Sequence, residues 1–179
     1  MDEYGGNWIT TYTGKKFHFL APQPEEIDIE DIAHALSLTC RFAGQCKSFY
    51  SVAEHSIRVA DIVPEQYKLH ALLHDASEAY LPDLPRPIKA GLPYFKEMEN
   101  VILRAVWNKF IPSGVYENYG VIKEADNILL ATEARDLMDN TDDWAELPPP
   151  LKPEIRPMPS NVAKVLFLCI FEFYMKEIP

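Results

Sequence analysis

Apolar residues recur at helical spacing through most of this chain. Over residues 28–38, Ile29, Ile32, Ala33 and Leu36 fall on one face of a helix. Ser51-Val-Ala-Glu54 has the form of a capping box, Ser at N-cap and Glu at N3, and predicts a helix that runs to Val63, where Pro64 stops it. His55 falls in its first turn. A second stretch, Glu65 to Tyr80, predicts one continuous helix carrying His70, His74, Asp75 and Glu78. Helices follow over 94–110 and 119–139, and Ser160 is placed to cap a last helix to Lys176. That last helix is apolar on most sides, which predicts either central burial or a subunit interface.

The segments between these helices read differently. Residues 9–20 are rich in Thr and aromatics around Gly14 and predict a small β-hairpin. Residues 39–50 show no period and read as a loop. Pro82, Pro85, Pro87 and Pro93 predict a stiff, extended loop over 81–93. Residues 141–159, with Pro148-Pro149-Pro150, Pro153, Pro157 and Pro159, read as a long strap across the same unit. The expected architecture is all-α with a small N-terminal β-hairpin, in one domain over residues 1–179.

Composition narrows the function classes. At 179 residues and 47% hydrophobic content the chain can bury one sizeable core. A formal net charge of -10 with no basic run disfavours a nucleic-acid polymer as partner. Small anions stay compatible with it, because a metal and a few Arg or Lys reverse the local field. Three cysteines without a CxxC predict reduced thiols and a cytoplasmic location, in a host cytoplasm if the chain is phage-encoded. The N-terminal residues do not form a signal peptide, and the longest apolar run, Val165 to Phe171, is too short to span a bilayer, so no membrane partner is expected.

The candidate chemistry lies in four residues. His55 opens one predicted helix, the adjacent His74 and Asp75 share a second, and Asp126 sits on a third. Imidazole nitrogens and carboxylates with positions left open suit a catalytic divalent cation. Taken singly, each residue has an ordinary explanation: a His near a helix start caps it or faces water, and a His-Asp dipeptide arises by chance. His70 precedes His74 by four residues, which makes a site on one helix conceivable, although no zincin pattern is present. His18 and His34 have no partner at ligand spacing and read as structural. Cys40 and Cys46 flank Arg41 and read as packing residues.

Longer stretches carry a resemblance. Arg41-Phe-Ala-Gly44 and Phe49 to His55, then Ala71 to Lys89, then Glu124-Ala-Asp126-Asn with Ala131 to Asp136, resemble the HD-domain phosphohydrolase superfamily in its small nucleotidase branch. The resemblance covers roughly residues 10–140 and implies an all-α HD-domain fold. It implies that His55, His74, Asp75 and Asp126 hold a divalent metal: Mn, Co or Zn first, with Mg, Ni or Fe also compatible with mixed N and O ligation. It implies that Glu78 contacts the attacking water or relays a proton, with Asp83 and Lys89 also in the active site. Arg41 and Lys89 would grip phosphate oxygens, Arg as a planar fork and Lys as a point charge. Phe42 and Gly44 would line the sugar and base. Where Phe42 stands many relatives carry Trp, and where Gly44 stands many carry a bulkier residue, so base and sugar selectivity do not transfer.

Within that superfamily the chain resembles the compact dATP triphosphohydrolases of phages that replace adenine by diaminopurine. This implies a small-molecule deoxynucleotide substrate, dATP first with dADP and dAMP, cleared from the nucleotide pool by attack of water on the α-phosphorus. Alternatives are a 5′-deoxynucleotidase acting on monophosphates, a broader dNTP phosphohydrolase, an enzyme hydrolysing a signalling nucleotide, and a nucleotide sensor without enzymatic activity. The apolar last helix adds the expectation of a homo-oligomer, a dimer or a hexamer.

Overall fold

The computed structural model describes residues 6–111 and 119–177. Strands β1 (Trp8–Thr10) and β2 (Lys16–His18) pair antiparallel, with Ile9 opposite Phe17. Gly14 turns the hairpin at φ +84°, a left-handed conformation that glycine adopts without a Cβ clash. The hairpin is anchored through Phe17, which is fully buried and stacks on Tyr80 at 3.8 Å between ring centroids.

Seven helices follow among the described residues: α1 (Ile29–Leu38), α2 (Val52–Ile62), α3 (Lys68–Leu72), α4 (Arg86–Ala90), α5 (Pro93–Phe110), α6 (Tyr119–Leu137) and α7 (Ser160–Glu177). Asp28 caps α1 by accepting the Glu30 N–H. Helix α2 lies at the centre, packed against α1, α3, α6 and α7. Its burial follows from its sequence, since Val52, Ala53, Ile57, Val59 and Ala60 leave no wide polar face. No helix of the described residues is long and apolar enough to cross a membrane.

Several expectations are corrected. The segment 65–80 is not one helix. A 3₁₀ turn over Glu65–Tyr67 leads into α3, which ends at Leu72, and a second 3₁₀ turn covers Ala76–Ala79. The Leu73 N–H is shared between the carbonyls of Leu69 (3.1 Å) and His70 (3.2 Å), which tightens the last turn. His74 and Asp75 therefore stand at a break between two short helical pieces. The loop expected over 81–93 contains α4, because Pro87 lies in its first turn, where the missing N–H costs nothing. Within 39–50, residues Arg41–Gly44 form a 3₁₀ turn with left-handed backbone at Phe42, Ala43 and Gly44 (φ 56°, 51° and 78°).

Half of the expected capping box forms. Ser51 accepts the Glu54 N–H at 3.1 Å, but the Glu54 carboxylate turns to Arg58 and to the Met158 N–H at 2.8 Å. The helix α7 starts at Ser160, and the Pro159 carbonyl, not the Ser160 side chain, receives the N–H groups of Val162 and Ala163. Only one stripe of α7 is buried, Ala163, Phe167 and Phe171, while Val165 and Phe173 are 60% and 55% exposed in the single chain.

The proline-rich strap has no helix or strand, so its backbone groups are satisfied by side chains. Thr132 accepts the Leu151 N–H, Asp136 the Ile155 N–H and Glu54 the Met158 N–H, while Arg135 donates to the Leu151 and Pro153 carbonyls. The strap is thereby fastened to α6 and α2, the two helices that carry candidate ligands.

Candidate metal centre

Three elements converge on one point. His55 comes from the first turn of α2, His74 and Asp75 from the break after α3, and Asp126 from α6. Ligand atoms of His55, His74 and Asp75 lie within 4.8 Å of one another. His55 Nε2 stands 3.3 Å from His74 Nε2, 3.6 Å from Asp75 Oδ2 and 3.4 Å from Asp126 Oδ1. His74 Nε2 is 3.3 Å from Asp75 Oδ2. Ligands about 2.0–2.2 Å from a shared cation stand roughly 3–3.6 Å apart, so the spacings among His55, His74 and Asp75 fit one ion, while Asp126 reaches this group through His55 and lies outside the three-residue cluster.

The imidazoles are oriented for this. His55 Nδ1 lies 2.6 Å from Glu133 Oε1, and His74 Nδ1 lies 2.7 Å from the Ala71 carbonyl. Each acceptor calls for a proton on Nδ1, which leaves the Nε2 lone pairs facing inward as ligands. The break in the helix is what lets His74 reach back three residues to Ala71.

The field of the site favours positive charge. Burial and the Arg41 charge pull His55 down, but Glu133 and Asp126 outweigh them and raise it to about 9. Asp126 is buried, which disfavours its charge, yet the hydrogen bond to His55 and the charges of His55 and His74 hold its carboxyl far below the usual range. Lys123 completes Asp126 from the outside by donating to Oδ2. Against the cost of burial, Arg41 and then His55 lower the Glu133 carboxyl to about 2.

A second group of side chains adjoins the first. Arg41 sends Nη2 to Glu133 Oε2 at 3.0 Å, and its Nη1 stands 3.7 Å from Asp75 Oδ2. Burial opposes the Arg41 charge, but Glu133 and Asp75 hold it firmly ionised. Lys89, on α4, donates to Glu99 at 2.8 Å and to Asp83 at 3.5 Å. Glu78 is enclosed between Asp75 on one side and Asp83 on the other. Burial first, then those two charges, raise its carboxyl well above the ordinary value, and its Oε2 accepts no hydrogen bond among the described residues. Phe42 lies under the Arg41 guanidinium at 5.3 Å and 6.0 Å from the Trp144 ring of the strap. Gly44 faces open space.

All residues expected at the site are thus accounted for. His55, His74 and Asp75 meet, Asp126 stands beside His55 but outside their cluster, Arg41 joins them, and Glu78, Asp83 and Lys89 form an adjoining electrostatic group. His70 instead sits edge-on to Trp107. His18 pairs with Glu26 and His34 stacks on Tyr12. Cys40 and Cys46 are free thiols with sulfurs 3.5 Å apart beside the Arg41 turn. Sequence reasoning missed Glu133, Glu99 and Lys123. Glu133 had a usable signal: it lies seven residues after Asp126, two turns on along one helix face. It also missed Tyr119, whose hydroxyl is pushed up by burial and by the Asp75 and Asp126 charges.

Comparison with known proteins places the chain among close relatives. No model of a known protein family matches it. It is 42% identical over 142 residues to the uncharacterized protein YfdR of Escherichia coli, a match covering 79% of both chains. It is 34% identical over 145 residues to the uncharacterized protein RCAP_rcc00048 of Rhodobacter capsulatus, covering 73% of this chain and 72% of that one. Identity at this level over most of each chain means that the protein belongs to the family of YfdR and RCAP_rcc00048.

Proposed function

We propose that this protein is a metal-dependent phosphohydrolase of the HD-domain type that acts on deoxynucleotides, with dATP as the first candidate substrate. The observation that carries the reading is the convergence of His55 Nε2, His74 Nε2 and Asp75, with Asp126 beside His55 and both Nδ1 atoms already engaged outside the centre. A divalent cation held there supplies a Lewis acid and activated water at neutral pH. Mn, Co and Zn suit the mixed ligands best.

The remaining steps fall to the protein's own groups. Arg41 presents a planar fork beside Asp75, and Lys89 a point charge beside Asp83, so phosphate oxygens have cations on two sides. Burial, then Asp75 and Asp83, raise the Glu78 carboxyl well above its ordinary value, which suits it to the role of proton donor in this reading. Water adds to the α-phosphorus as the bond to the 5′-oxygen breaks; Glu78 delivers its proton to that leaving oxygen and regains one from the added water, giving deoxynucleoside and triphosphate. Phe42 offers a ring for sugar or base, steered by Trp144 and Arg41. In this reading the substrate is small, the location cytoplasmic, and the exposed face of α7 a contact between copies of the chain.

The test is direct. The protein is incubated with each dNTP, NTP and dNMP plus Mn²⁺ or Co²⁺, and products are separated by chromatography. The expected result is loss of dATP with release of deoxyadenosine and triphosphate. Turnover confined to monophosphates sinks the dATP assignment in favour of a 5′-deoxynucleotidase. Release of no phosphate species from any nucleotide sinks the hydrolase.

A further inference from the structure

We propose that Glu133 is a positioning residue that locks the metal-binding His55 and the phosphate-facing Arg41 into one geometry. The inference rests on the metal-dependent phosphohydrolase reading and deepens it. The Glu133 side chain is 0% exposed. Its Oε1 accepts from His55 Nδ1 at 2.6 Å and its Oε2 accepts from Arg41 Nη2 at 3.0 Å. The three residues come from separate elements: α6, α2 and the left-handed turn 41–44. One carboxylate therefore ties the ligand to the cation beside it.

Only a carboxylate can do this. Both donors point at it, so both of its oxygens have to accept. An amide of the same shape has one acceptor and one donor, and it must turn its NH₂ toward one of the two. Turned toward His55, it makes Nδ1 an acceptor and moves the imidazole proton to Nε2, into the ligand position. Turned toward Arg41, it opposes two donors in a buried site and drives the guanidinium off. Either way one end of the site is lost although no ligand or phosphate contact has been altered directly. The backbone of the Arg41 turn is held by Arg41 N–H to the Tyr50 carbonyl at 2.9 Å and Gln45 N–H to the Phe42 carbonyl at 3.0 Å, which leaves the guanidinium itself to be placed by Glu133.

Three measurements on the full-length protein test this. Mn²⁺ affinity is read from the free-ion paramagnetic resonance signal, and inorganic phosphate affinity from calorimetry with metal present. Glu133→Gln should weaken Mn²⁺ binding about 10–100-fold or weaken phosphate binding by a similar factor, depending on which way the amide turns. The third measurement needs no variant. In the Zn²⁺-loaded wild type, nitrogen-15 spectra of the histidines should show His55 protonated at Nδ1 and metal-bound, without a proton, at Nε2. Glu133→Asp, which keeps the charge, should restore part of whichever affinity Glu133→Gln loses. A folded Glu133→Gln protein with both affinities within twofold of wild type overturns the proposal. So does a wild-type His55 protonated at Nε2, which decides the matter even if the variant does not fold. Binding as described without nucleotide turnover would leave this inference standing and sink the hydrolase. A wild type that binds no Mn²⁺, Co²⁺ or Zn²⁺ would sink both.

Discussion

The two sides of the candidate site hold their charges by different means. On the metal side, His55, His74 and Asp126 each have an outer partner: Glu133, the Ala71 carbonyl and Lys123. The inner atoms are left facing one centre. On the other side, one lysine, Lys89, is set among Asp83, Glu99 and Glu78, and the Glu78 carboxyl stays without a hydrogen bond on Oε2. The first side is fixed by helices and ready for a ligand. The second holds its groups against one another, and a phosphate entering there exchanges protein carboxylates for its own oxygens. Ligand removal should therefore destroy function while sparing the fold, and changes on the Lys89 side should shift function by degrees.

The largest effect is expected from the metal side. His74→Ala or Asp75→Ala should abolish hydrolysis, a loss of more than about a thousandfold, because several kcal/mol of transition-state stabilisation go with the cation. The thermal unfolding midpoint without metal should hold in Asp75→Ala, since Asp75 is only partly buried and makes no hydrogen bond through its side chain among the described residues, and should fall in His74→Ala, which empties a buried position and removes the bond to the Ala71 carbonyl. Near-normal turnover in either variant would remove the distinction between the two sides.

Glu78 separates catalysis from stability. Glu78→Gln should lower turnover by about 10²–10⁴, the range of a lost general acid or base. It should also make the protein more stable than the wild type at neutral pH, because the unfolded wild type gains by releasing the proton that folding makes Glu78 keep, whereas glutamine ionises in neither state. The sign follows from linkage. Above the ordinary carboxyl value of 4.5, the folded protein keeps a proton on Glu78 that the unfolded chain has lost. Stability from this group is therefore full at low pH and is lost as pH rises through the raised folded value. Denaturant melts from pH 4 to pH 9 should show the wild type losing stability with pH relative to Glu78→Gln. A constant difference across that range would contradict the neutral, buried acid.

Lys89→Met should act more mildly. Its ammonium is half-buried between Asp83 and Glu99, so the change weakens phosphate binding and leaves two carboxylates close together. Steady-state kinetics should show KM raised about tenfold, roughly the 1.4 kcal/mol of one charge-assisted contact, with a smaller change in kcat. An effect on kcat alone would place Lys89 in the chemistry rather than in binding.

How much of this could be read from the chain differs between the two sides in the same way. The helix start at Ser51 and the helix α6 could be read from the chain, but His55 and Asp126 became candidate ligands only through the resemblance of the longer stretches around them. The break at His74 was hidden: Leu69, Ala71, Leu72, Leu73 and Ala76 are apolar and buried, and that run suits a continuous helix as well as two short pieces. The break is decided by tertiary demands, burying those residues while turning the His74 ring onto Ala71. Glu99 and Lys123 were illegible because a charge on an amphipathic helix ordinarily faces water. The helix α4 was missed for the opposite reason, since prolines that end helices also begin them. Of the outer partners on the metal side, Ala71 and Lys123 lie three residues from His74 and Asp126, whereas Glu133 lies 78 residues from His55, so its spacing from Asp126 along α6 marks the helix face but not the histidine it serves.

The smallest expected effect concerns the turn that presents Arg41. Phe42 and Ala43 both occupy the left-handed region, and neither is a residue type that favours it. For an L-residue this costs about 1–2 kcal/mol, while replacing alanine by glycine costs roughly 0.5–1 kcal/mol in unfolded-chain entropy. Ala43→Gly should thus be net stabilising by about 0.5–1 kcal/mol. Phe42→Gly should not, because it also removes the ring beneath Arg41. The two variants together separate backbone strain from side-chain contact. If Ala43→Gly destabilises, the turn is not left-handed in solution, and Arg41 is held by Glu133, Asp75 and the Tyr50 carbonyl without help from a strained turn. If it stabilises while raising KM for the nucleotide, the strained alanine serves to keep Arg41 stiff, and the phosphate-facing arginine belongs with the rigid metal side rather than with Lys89.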